Sequence, residues 1–562
     1  MASDPVSVVL SPWTYLGSSR HMRSRIKGIL AAFLATSGLS AVTAGVARAQ
    51  DAAPAPNRAE GEGPFDRLII RGATLIDGTG APPRGPVDIV IERNRITRIA
   101  DVGFPGVPIN ARGRPQGPAR EIQAEGMYVL PGFIDLHVHT GGVPKAPESE
   151  YVYKLWLGHG ITTVRGVPFG GFEYALKEKA RSAANEITAP RMVSCHRMGS
   201  GQGWTGGPIQ TPEKAREWVR YAAQAGADCL KLGAHEPSIM AALIDEAKKN
   251  KLGTTAHLAQ TGVAQMNAAD AVKLGLGAVT HYYGIFESMY DKNSIQPYPD
   301  TYNYNDEQWR FGQVARQWSL VTPRSEKWNA FLKLLKDHDA TLDPTMTTYM
   351  SGRDLAKRRT AEWHETYTLP SLWDFYTPNR ENHGAYFYNW TTWDEVAWKK
   401  FYQVWMEFIN DYKNMGGRVT PSTDAGFIYN TYGFSYIEEL ENFQEAGFHP
   451  LEVIRAATLH AAEEIFRPLG TPIQYGVVRA GMLADLAIVG ENPIANLKVL
   501  YGNGFVRLND QTNKVERVGG VKWTIKDGIV YDAKKLLADV AKMVEKQKKE
   551  RGITRLPIAM QR

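Results

Sequence analysis

Cysteine is scarce in this sequence of 562 residues, which contains only Cys195 and Cys229. Two cysteines are too few for a disulfide scaffold, so a small cross-linked domain is excluded. We expect both thiols to be reduced and buried in the core. A strong charge is also lacking, because residues 1–49 carry +4 of the formal net charge of +6 and leave about +2 for the rest. This remainder gives no electrostatic basis for binding nucleic acid.

Long apolar runs are missing too, apart from one at residues 29–46. Basic residues at 23–27 precede this run and a small-residue site at 47–49 follows it, as in a cleaved export signal. We therefore expect residues 1–49 to be a signal peptide, with translation starting at Met1 or Met22, and the protein to be secreted or periplasmic. Because no stop-transfer pattern follows, we expect no permanent membrane anchor, although a retained anchor is the alternative.

The rest of the chain divides into five segments that differ in composition and in the spacing of apolar residues. Residues 50–64 are rich in Ala, Pro and Gly and are expected to be a flexible linker. Short β-like runs over 65–130 and again over 471–532 predict two parts of one small composite β-sandwich. At 131–470 strand-like runs alternate with amphipathic helices, as in parallel βαβ units. Residues 533–562 predict a charged surface helix and a tail.

The alternating region contains eight strand-like runs, the number in a (β/α)8 TIM barrel. They lie near residues 133–139, 160–167, 191–196, 228–232, 253–258, 278–282, 340–346 and 419–423. Two connections, 284–328 and 349–393, are dense in Trp and Tyr and far too long for ordinary βα loops. Because they follow the sixth and seventh strands, they either lie over the catalytic face or pack only against each other or a second subunit.

Polar residues stand near the C-terminal ends of these strands, where TIM-barrel active sites lie. His137 and His139 in GFIDLHVH are two residues apart on a strand, so both side chains point the same way. Alone, such a pair also occurs without any metal. Further candidates follow on later strands, namely Lys231, His257, His281 and Asp424. Imidazole nitrogens and carboxylate oxygens suit zinc or a similar divalent ion.

Lys231 is the unusual member of this set, because an ammonium group cannot coordinate a metal. Burial beside cations favours the neutral amine, which can add carbon dioxide and become a carbamate that bridges two metals. The alternative is an ion pair between Lys231 and a carboxylate inside the barrel. His196, Tyr282 and Tyr283, also at strand ends, are candidates for contacting substrate, although a structural role is the favoured interpretation of His196.

The order of these motifs resembles the amidohydrolase superfamily, in particular its imidazolonepropionase-like and prolidase-like branch. The residues that carry the resemblance are PGFIDLHVH, Lys231, His257, His281, Asp424, PLEVIRAATLHAAE and RAGMLADLAIVGENP. The resemblance covers roughly residues 68–532. It implies a distorted barrel with a composite β-sandwich and one or two divalent metal ions, with zinc as the expected metal.

Carried over residue by residue, the resemblance implies ligands for two metal ions, namely His137, His139 and Asp424 for one, and His257 and His281 for the other. Carboxylated Lys231 would bridge both ions, and Asp424 would pass a proton from the metal-activated hydroxide to the leaving group. The expected reaction is cleavage of an amide or peptide-type C–N bond in an N-acyl amino acid, dipeptide or carbamate-like substrate with a bulky apolar part. We also expect a homo-oligomer.

Two alternatives stay open. One is a mononuclear enzyme, a cyclic-amide hydrolase or a deaminase, in which Lys231 is unmodified. The other is an inactive binding protein on the same fold, which the presence of all six candidate ligands disfavours.

Overall fold

The computed structural model of the protein describes residues 51–290, 303, 306–380, 382–385, 387 and 389–558. The signal peptide expected at 1–49 lies outside these residues. Within the described part of the chain, no helix combines the length and the apolar character needed to cross a membrane.

The strands form three groups along the chain. Five precede the barrel: β1 (Leu68–Leu75), β2 (Arg84–Glu92), β3 (Arg95–Asp101), β4 (Arg120–Gln123) and β5 (Tyr128–Pro131). Eight form it: β6 (Phe133–Val138), β7 (Ile161–Gly166), β8 (Arg191–Arg197), β9 (Cys229–Leu232), β10 (Gly253–Ala256), β11 (Ala278–Thr280), β12 (Thr341–Asp343) and β13 (Arg418–Val419). Five follow it: β14 (Leu486–Val489), β15 (Phe505–Asn509), β16 (Lys514–Val518), β17 (Val521–Lys526) and β18 (Ile529–Asp532).

The strands β6 to β13 lie side by side in chain order and are all parallel. Six of the eight predicted segments contain one of them, while β8 extends one residue past its segment and β13 shares only Val419 with its segment. The segment after β13 returns to β6, because the Asp424 amide donates to the His137 carbonyl at 2.8 Å. The prediction of a TIM-like barrel with a separate β-rich unit is therefore confirmed.

The two ends of the chain share one sheet, with strands in the order β18-β17-β14-β5-β1-β2-β3 and β4 beside β1. The junction is the antiparallel pair β14 and β5, in which Ile488 faces Val129. Apolar side chains from the strands of this sheet, including Ile70, Val129 and Leu486, form a core of their own. The expectation that N- and C-terminal segments complete one β unit agrees with this pairing. The strands β15 and β16 form a separate hairpin.

Helices cover the barrel and build the two long connections. They are α1 (Ser149–Gly158), α2 (Phe172–Ala183), α3 (Pro212–Ala225), α4 (Pro237–Lys249), α5 (Ala268–Lys273), α6 (Glu307–Gln317), α7 (Glu326–Asp337), α8 (Met346–Arg359), α9 (His364–Tyr367), α10 (Pro370–Tyr376), α11 (Thr392–Asn414), α12 (Phe434–Glu445), α13 (Pro450–Arg455), α14 (Ala461–Phe466) and α15 (Ala533–Glu550). Proline begins α3, α4 and α13, where its missing N–H costs nothing because a first-turn N–H has no partner in the helix.

The segment expected to be a flexible linker is ordered where the structure describes it, at residues 51–64. Ala52 and Ala55 are buried, and the Ala53 amide donates to the Pro147 carbonyl at 2.7 Å. Further along, Glu62 pairs with Val530 of β18 through two backbone hydrogen bonds. The expectation was wrong because small side chains let a backbone lie close against the barrel, which composition alone does not reveal.

The two cysteines form a disulfide, Cys195–Cys229, and are not the reduced thiols expected from the sequence. They are register partners on the neighbouring parallel strands β8 and β9, with Cα atoms 4.3 Å apart. Because register partners point to the same side of a sheet, their sulfurs meet inside the barrel wall. The register between two strands is a tertiary property, so the spacing of 34 residues gave no sign of it.

Candidate metal centre

The six residues predicted as a metal site all lie at the carboxyl ends of barrel strands. His137 is on β6 and His139 follows it, while Lys231 is on β9. His257, His281 and Asp424 come shortly after β10, β11 and β13. His137, Lys231 and His281 are buried, Asp424 is largely enclosed, and His139 and His257 are partly exposed. Six residues from five strands therefore converge on one end of the barrel.

Asp424 lies at the centre of this cluster. Its Oδ1 is 3.1 Å from His139 Nε2 and 3.8 Å from His137 Nε2, and its Oδ2 is 3.8 Å from His281 Nε2. One ligand atom each of His137, His281 and Asp424 lie within 4.8 Å of one another. The His257 ring is 4.6 Å from the His281 ring, centroid to centroid. This spacing is what a shared ion between the groups requires.

Hydrogen bonds orient two of the rings so that a bare nitrogen faces the centre. His139 Nδ1 donates to the Pro168 carbonyl at 2.9 Å, which leaves Nε2 toward Asp424. The Thr345 hydroxyl donates to the Pro344 carbonyl, so it accepts from His281 Nδ1 and leaves His281 Nε2 without a proton. Among the described residues, this buried Nε2 has no hydrogen-bond partner. A lone pair held in that way fits a metal ion.

Burial sets the charge of the cluster. It lowers the pKa of His281 to about 3 and also lowers the pKa values of His137, His139 and His257, so the rings are neutral. For Asp424, burial acts to raise the pKa, but the adjacent His139, His281 and Lys231 lower it by more, to below its ordinary value. Neutral imidazoles around one ionised carboxylate have the protonation states that a divalent cation needs.

Lys231 faces the same centre as a buried amine. Its Nζ lies 3.3 Å from His137 Nε2, and it forms no ion pair with any carboxylate in the described ranges. Burial lowers its pKa to about 7, a change that Asp424 and Asp343 partly offset. The alternative expected from the sequence, a close ion pair with a barrel carboxylate, is absent from the described structure. Asp343 is instead paired with Arg165 at 2.7 Å.

The loop after Asp424 is held in an unusual backbone conformation. Asp424, Ile428 and Tyr429 have φ values of 49°, 52° and 60°, which residues other than glycine rarely adopt. The Arg358 guanidinium, on α8, donates to the Tyr429 carbonyl at 3.1 Å and to the Asn430 side chain. Asn430 in turn donates to the Thr423 carbonyl at 2.8 Å. The second long connection therefore supports the loop that carries Asp424.

A cavity of about 560 Å³ opens above the cluster. Its wall contains five of the six predicted site residues, with His281 buried behind them. The first long connection adds Glu307, Arg310 and Phe311, and the second adds Tyr349 and His383, with Thr348 directly before it. The described parts of both connections therefore lie over the catalytic face, which was one of the two positions expected for them.

The three residues expected to contact substrate separate into two groups. Tyr283 lines the cavity. Tyr282 is fully buried among Phe401 and Trp405, and it is not part of the cavity wall. His196 also lies outside that wall, since it bonds to Ser194 and packs on Phe172. Alternation along β8 explains the error, because Cys195 and Arg197 point into the barrel and His196 points out.

Several cavity residues were missed by reading the sequence. Arg197 was detectable, because it follows His196 on a predicted strand and alternation turns it inward. Phe427 was also detectable, because it comes only three residues after Asp424 in the sequence. Arg310, Tyr349 and His383 belong to the long connections, whose course over the barrel no local pattern predicts.

No family model matches the chain. Over 98 residues, which are 17% of this chain and 16% of the relative, it is 40% identical to an N-acyl-D-aspartate deacylase of Alcaligenes xylosoxydans xylosoxydans. The match thus spans about a sixth of that curated relative. Among solved structures, it is similar to a Xaa-Pro dipeptidase with 18% identity and a TM-score of 0.53, over 83% of this chain and 100% of that one.

The chain is also similar to bottromycin amidohydrolase, with 17% identity and a TM-score of 0.56, over 85% of this chain and 91% of that one. The neighbours are thus prolidase-like and amidohydrolase proteins. The resemblance to the amidohydrolase superfamily expected from the motifs is confirmed at the level of the fold.

We predict that Thr423→Val lowers the free energy of unfolding by about 1–3 kcal/mol. The Thr423 hydroxyl donates to Asp135 Oδ2 at 2.7 Å in a fully buried place, and valine has nearly the same shape but no donor. Thr423→Ser keeps the hydroxyl and is the matched control, with a much smaller loss. Urea unfolding followed by circular dichroism measures both, and equal stability of the two variants would contradict the prediction.

Proposed function

We propose that the protein is a metal-dependent hydrolase that cleaves an amide or peptide-type C–N bond. The observation that carries this proposal is the buried His281 Nε2, which faces Asp424 without a hydrogen-bond partner among the described residues. The similarity to a dipeptidase, an amidohydrolase and, over a short stretch, a deacylase supports the same reaction class.

The donor set suits one or two divalent ions, and zinc is our proposal because imidazole and carboxylate donors are its usual ligands. We propose that His137, His139 and Asp424 hold one ion and that His257 and His281 hold the other. When bound, such an ion acts as a Lewis acid that lowers the pKa of water and polarises a carbonyl.

Asp424 is our candidate for moving the proton. Its carboxylate stays ionised because its pKa is lowered despite burial, so it can accept a proton from the attacking water. It lies in the cavity wall, where it can then deliver that proton to the leaving nitrogen. The Asp424 backbone amide, which donates to the His137 carbonyl at 2.8 Å, positions the residue for both steps.

We propose that Lys231 becomes carboxylated. The neutral amine attacks the carbon of carbon dioxide, an N–C bond forms as one C=O π bond becomes a C–O⁻ bond, and one amine proton passes to solvent to leave an anionic carbamate. The support is geometric, because a buried ammonium 3.3 Å from an imidazole and without an ion-pair partner among the described residues lacks compensation. A carbamate oxygen at the same place would instead supply an anionic ligand.

The cavity supports a substrate with a bulky apolar part. Tyr283, Phe311, Tyr349 and Phe427 provide aromatic surface, and about 560 Å³ accommodates a small acylated amino acid or dipeptide. N-acyl amino acids, dipeptides and carbamate-like compounds are therefore the substrate classes that we propose.

A mononuclear enzyme acting on a cyclic amide or amidine is the second candidate. The contact between Lys231 Nζ and His137 Nε2 favours it, because an unmodified lysine there serves as a hydrogen-bond partner of one ligand. The number of metal ions per chain separates the two candidates.

We further propose that the protein works outside the cytoplasm, as a homo-oligomer acting on small molecules or short peptides. The basic and apolar pattern of residues 1–49 supports export. The Cys195–Cys229 disulfide agrees with it, since disulfides persist mainly in oxidising compartments.

A substrate screen tests the reaction class. Purified protein with and without added zinc is offered N-acyl amino acids, dipeptides, carbamates and cyclic amides, and released amine is measured. We expect turnover of at least one open-chain amide, abolished by chelation and restored by metal. Turnover that is insensitive to chelators, or turnover of cyclic amides alone, would contradict the leading proposal.

Asp424→Asn should reduce kcat by at least about a hundredfold, because it removes the group that transfers the proton. The amide keeps the shape and one oxygen donor, so the fold and much of the bound metal should remain. Metal analysis and circular dichroism of the same preparation are the controls. A metal-loaded variant with a wild-type rate would assign the proton transfer to another residue.

Lys231→Ala should lose one or both metal ions and nearly all activity, because the bridging group is gone. Added acetate or propionate should partly restore both, since a short carboxylate can occupy the place of the carbamate. Metal stoichiometry with and without these acids is the measurement. An unchanged stoichiometry would remove Lys231 from the ligands and favour the mononuclear candidate.

A further inference from the structure

We propose that Arg197 binds a carboxylate of the substrate, so that the natural substrates are N-acyl amino acids or dipeptides with a free α-carboxylate. This inference rests on the proposed function and narrows it, because a neutral carbamate lacks such a group. Arg197 lies in the wall of the cavity that contains the candidate metal centre.

Arg197 is the last residue of β8 and the register partner of Lys231 on β9. Register partners on parallel strands point to the same side, and neighbouring strands lie about 4.8 Å apart. Burial is the main cause of the lowered pKa values of Lys231 and His257, and the charge of Arg197 adds to both. Arg197 therefore projects into the cavity from the strand next to the one that carries Lys231.

The Arg197 guanidinium has no counter-charge in the part of the chain that the structure describes. Its backbone carbonyl accepts from Ser200, but no ion pair or hydrogen bond of its side chain to a described residue is present. Arg165, deeper in the same barrel, is by contrast bonded to Asp343 and to the Leu136 carbonyl. Arg197 is exposed to solvent, where unpaired arginines are common, so it is its place in the cavity wall that points to an external anion.

Other charged groups in the wall do not compensate Arg197. Glu307 lies 3.3 Å from Arg310 on α6 and is committed to that pair. Asp424 faces the histidines of the metal centre. With the histidines and Lys231 neutral, Arg197 and Arg310 balance Glu307 and Asp424 in the wall, so bound divalent ions would give the cavity a surplus of positive charge that attracts anionic substrates.

An α-carboxylate matches both the chemistry and the distance. A guanidinium offers paired N–H donors that bind two carboxylate oxygens at once. In an N-acyl amino acid or a dipeptide, the α-carboxylate is attached to the carbon next to the scissile nitrogen. It can thus reach Arg197 while the scissile carbonyl lies at the centre and the apolar part contacts Tyr283 and Phe427.

Binding of a matched ligand pair to the zinc-loaded full chain tests this inference without turnover. By isothermal titration calorimetry, 3-phenylpropionate should bind wild type roughly tenfold or more tightly than 3-phenylpropionamide. In Arg197→Gln this ratio should fall to near one. Arg197→Lys keeps the charge but not the paired donors, so its ratio should be intermediate.

Arg98→Gln is the matched control, because it makes the same charge change on the exposed face of β3, far along the chain from the cavity wall. It should keep the wild-type ratio. An unchanged ratio in Arg197→Gln would overturn the inference and indicate that the carboxylate binds the metal directly. If Arg197→Gln does not fold by circular dichroism, Arg197→Lys decides, and an unchanged ratio there has the same meaning.

Kinetics separate this inference from the proposed function. N-acetyl-phenylalanine and N-acetyl-phenylalaninamide, each in both enantiomers, and alanyl-proline are compared as substrates. The acids should be preferred by kcat/KM in wild type, and Arg197→Gln should raise KM for the acids with little effect on the amide. If no compound is cleaved but the binding ratio depends on Arg197, the proposed reaction fails and the carboxylate site stands.

Discussion

The closure of the barrel between its last and first strands is the interaction on which the candidate site depends. The Asp424 amide donates to the His137 carbonyl, and the Thr423 hydroxyl and amide both donate to Asp135. These bonds join the two segments that carry His137, His139 and Asp424, three of the candidate metal ligands. The same contacts that close the barrel thus set the distance between Asp424 and His139, so stability and site geometry cannot vary independently here.

Local patterns were sufficient to predict the barrel and to place the six candidate ligands at its strand ends. Each βα unit carries its own periodicity, and His257 or Lys231 could be placed at a strand end without knowing any neighbouring strand. Features that depend on pairing between strands were not predictable in this way. The Cys195–Cys229 disulfide and the docking of residues 51–64 both depend on tertiary register. Arg310 and His383 reach the cavity through long connections whose path is set by packing.

The long connections also explain how an unfavourable loop persists. Asp424, Ile428 and Tyr429 adopt left-handed backbone conformations, which cost free energy for residues other than glycine. Arg358 on α8 and the buried Asn430 fix this loop through several hydrogen bonds. The second connection therefore has a double role, because it walls the cavity and holds the carboxylate that we propose as the proton carrier.

Charge balance links the two proposals about Lys231 and Arg197. The buried histidines are neutral, so Asp424 is the single anion among the six candidate ligands. Two divalent ions beside one carboxylate would leave a large uncompensated positive charge in a buried place, which is costly. A carbamate on Lys231 reduces this surplus, and a substrate carboxylate beside Arg197 reduces the charge of the wall. A two-metal centre in this barrel therefore favours anionic partners at both positions, whereas a single ion requires neither.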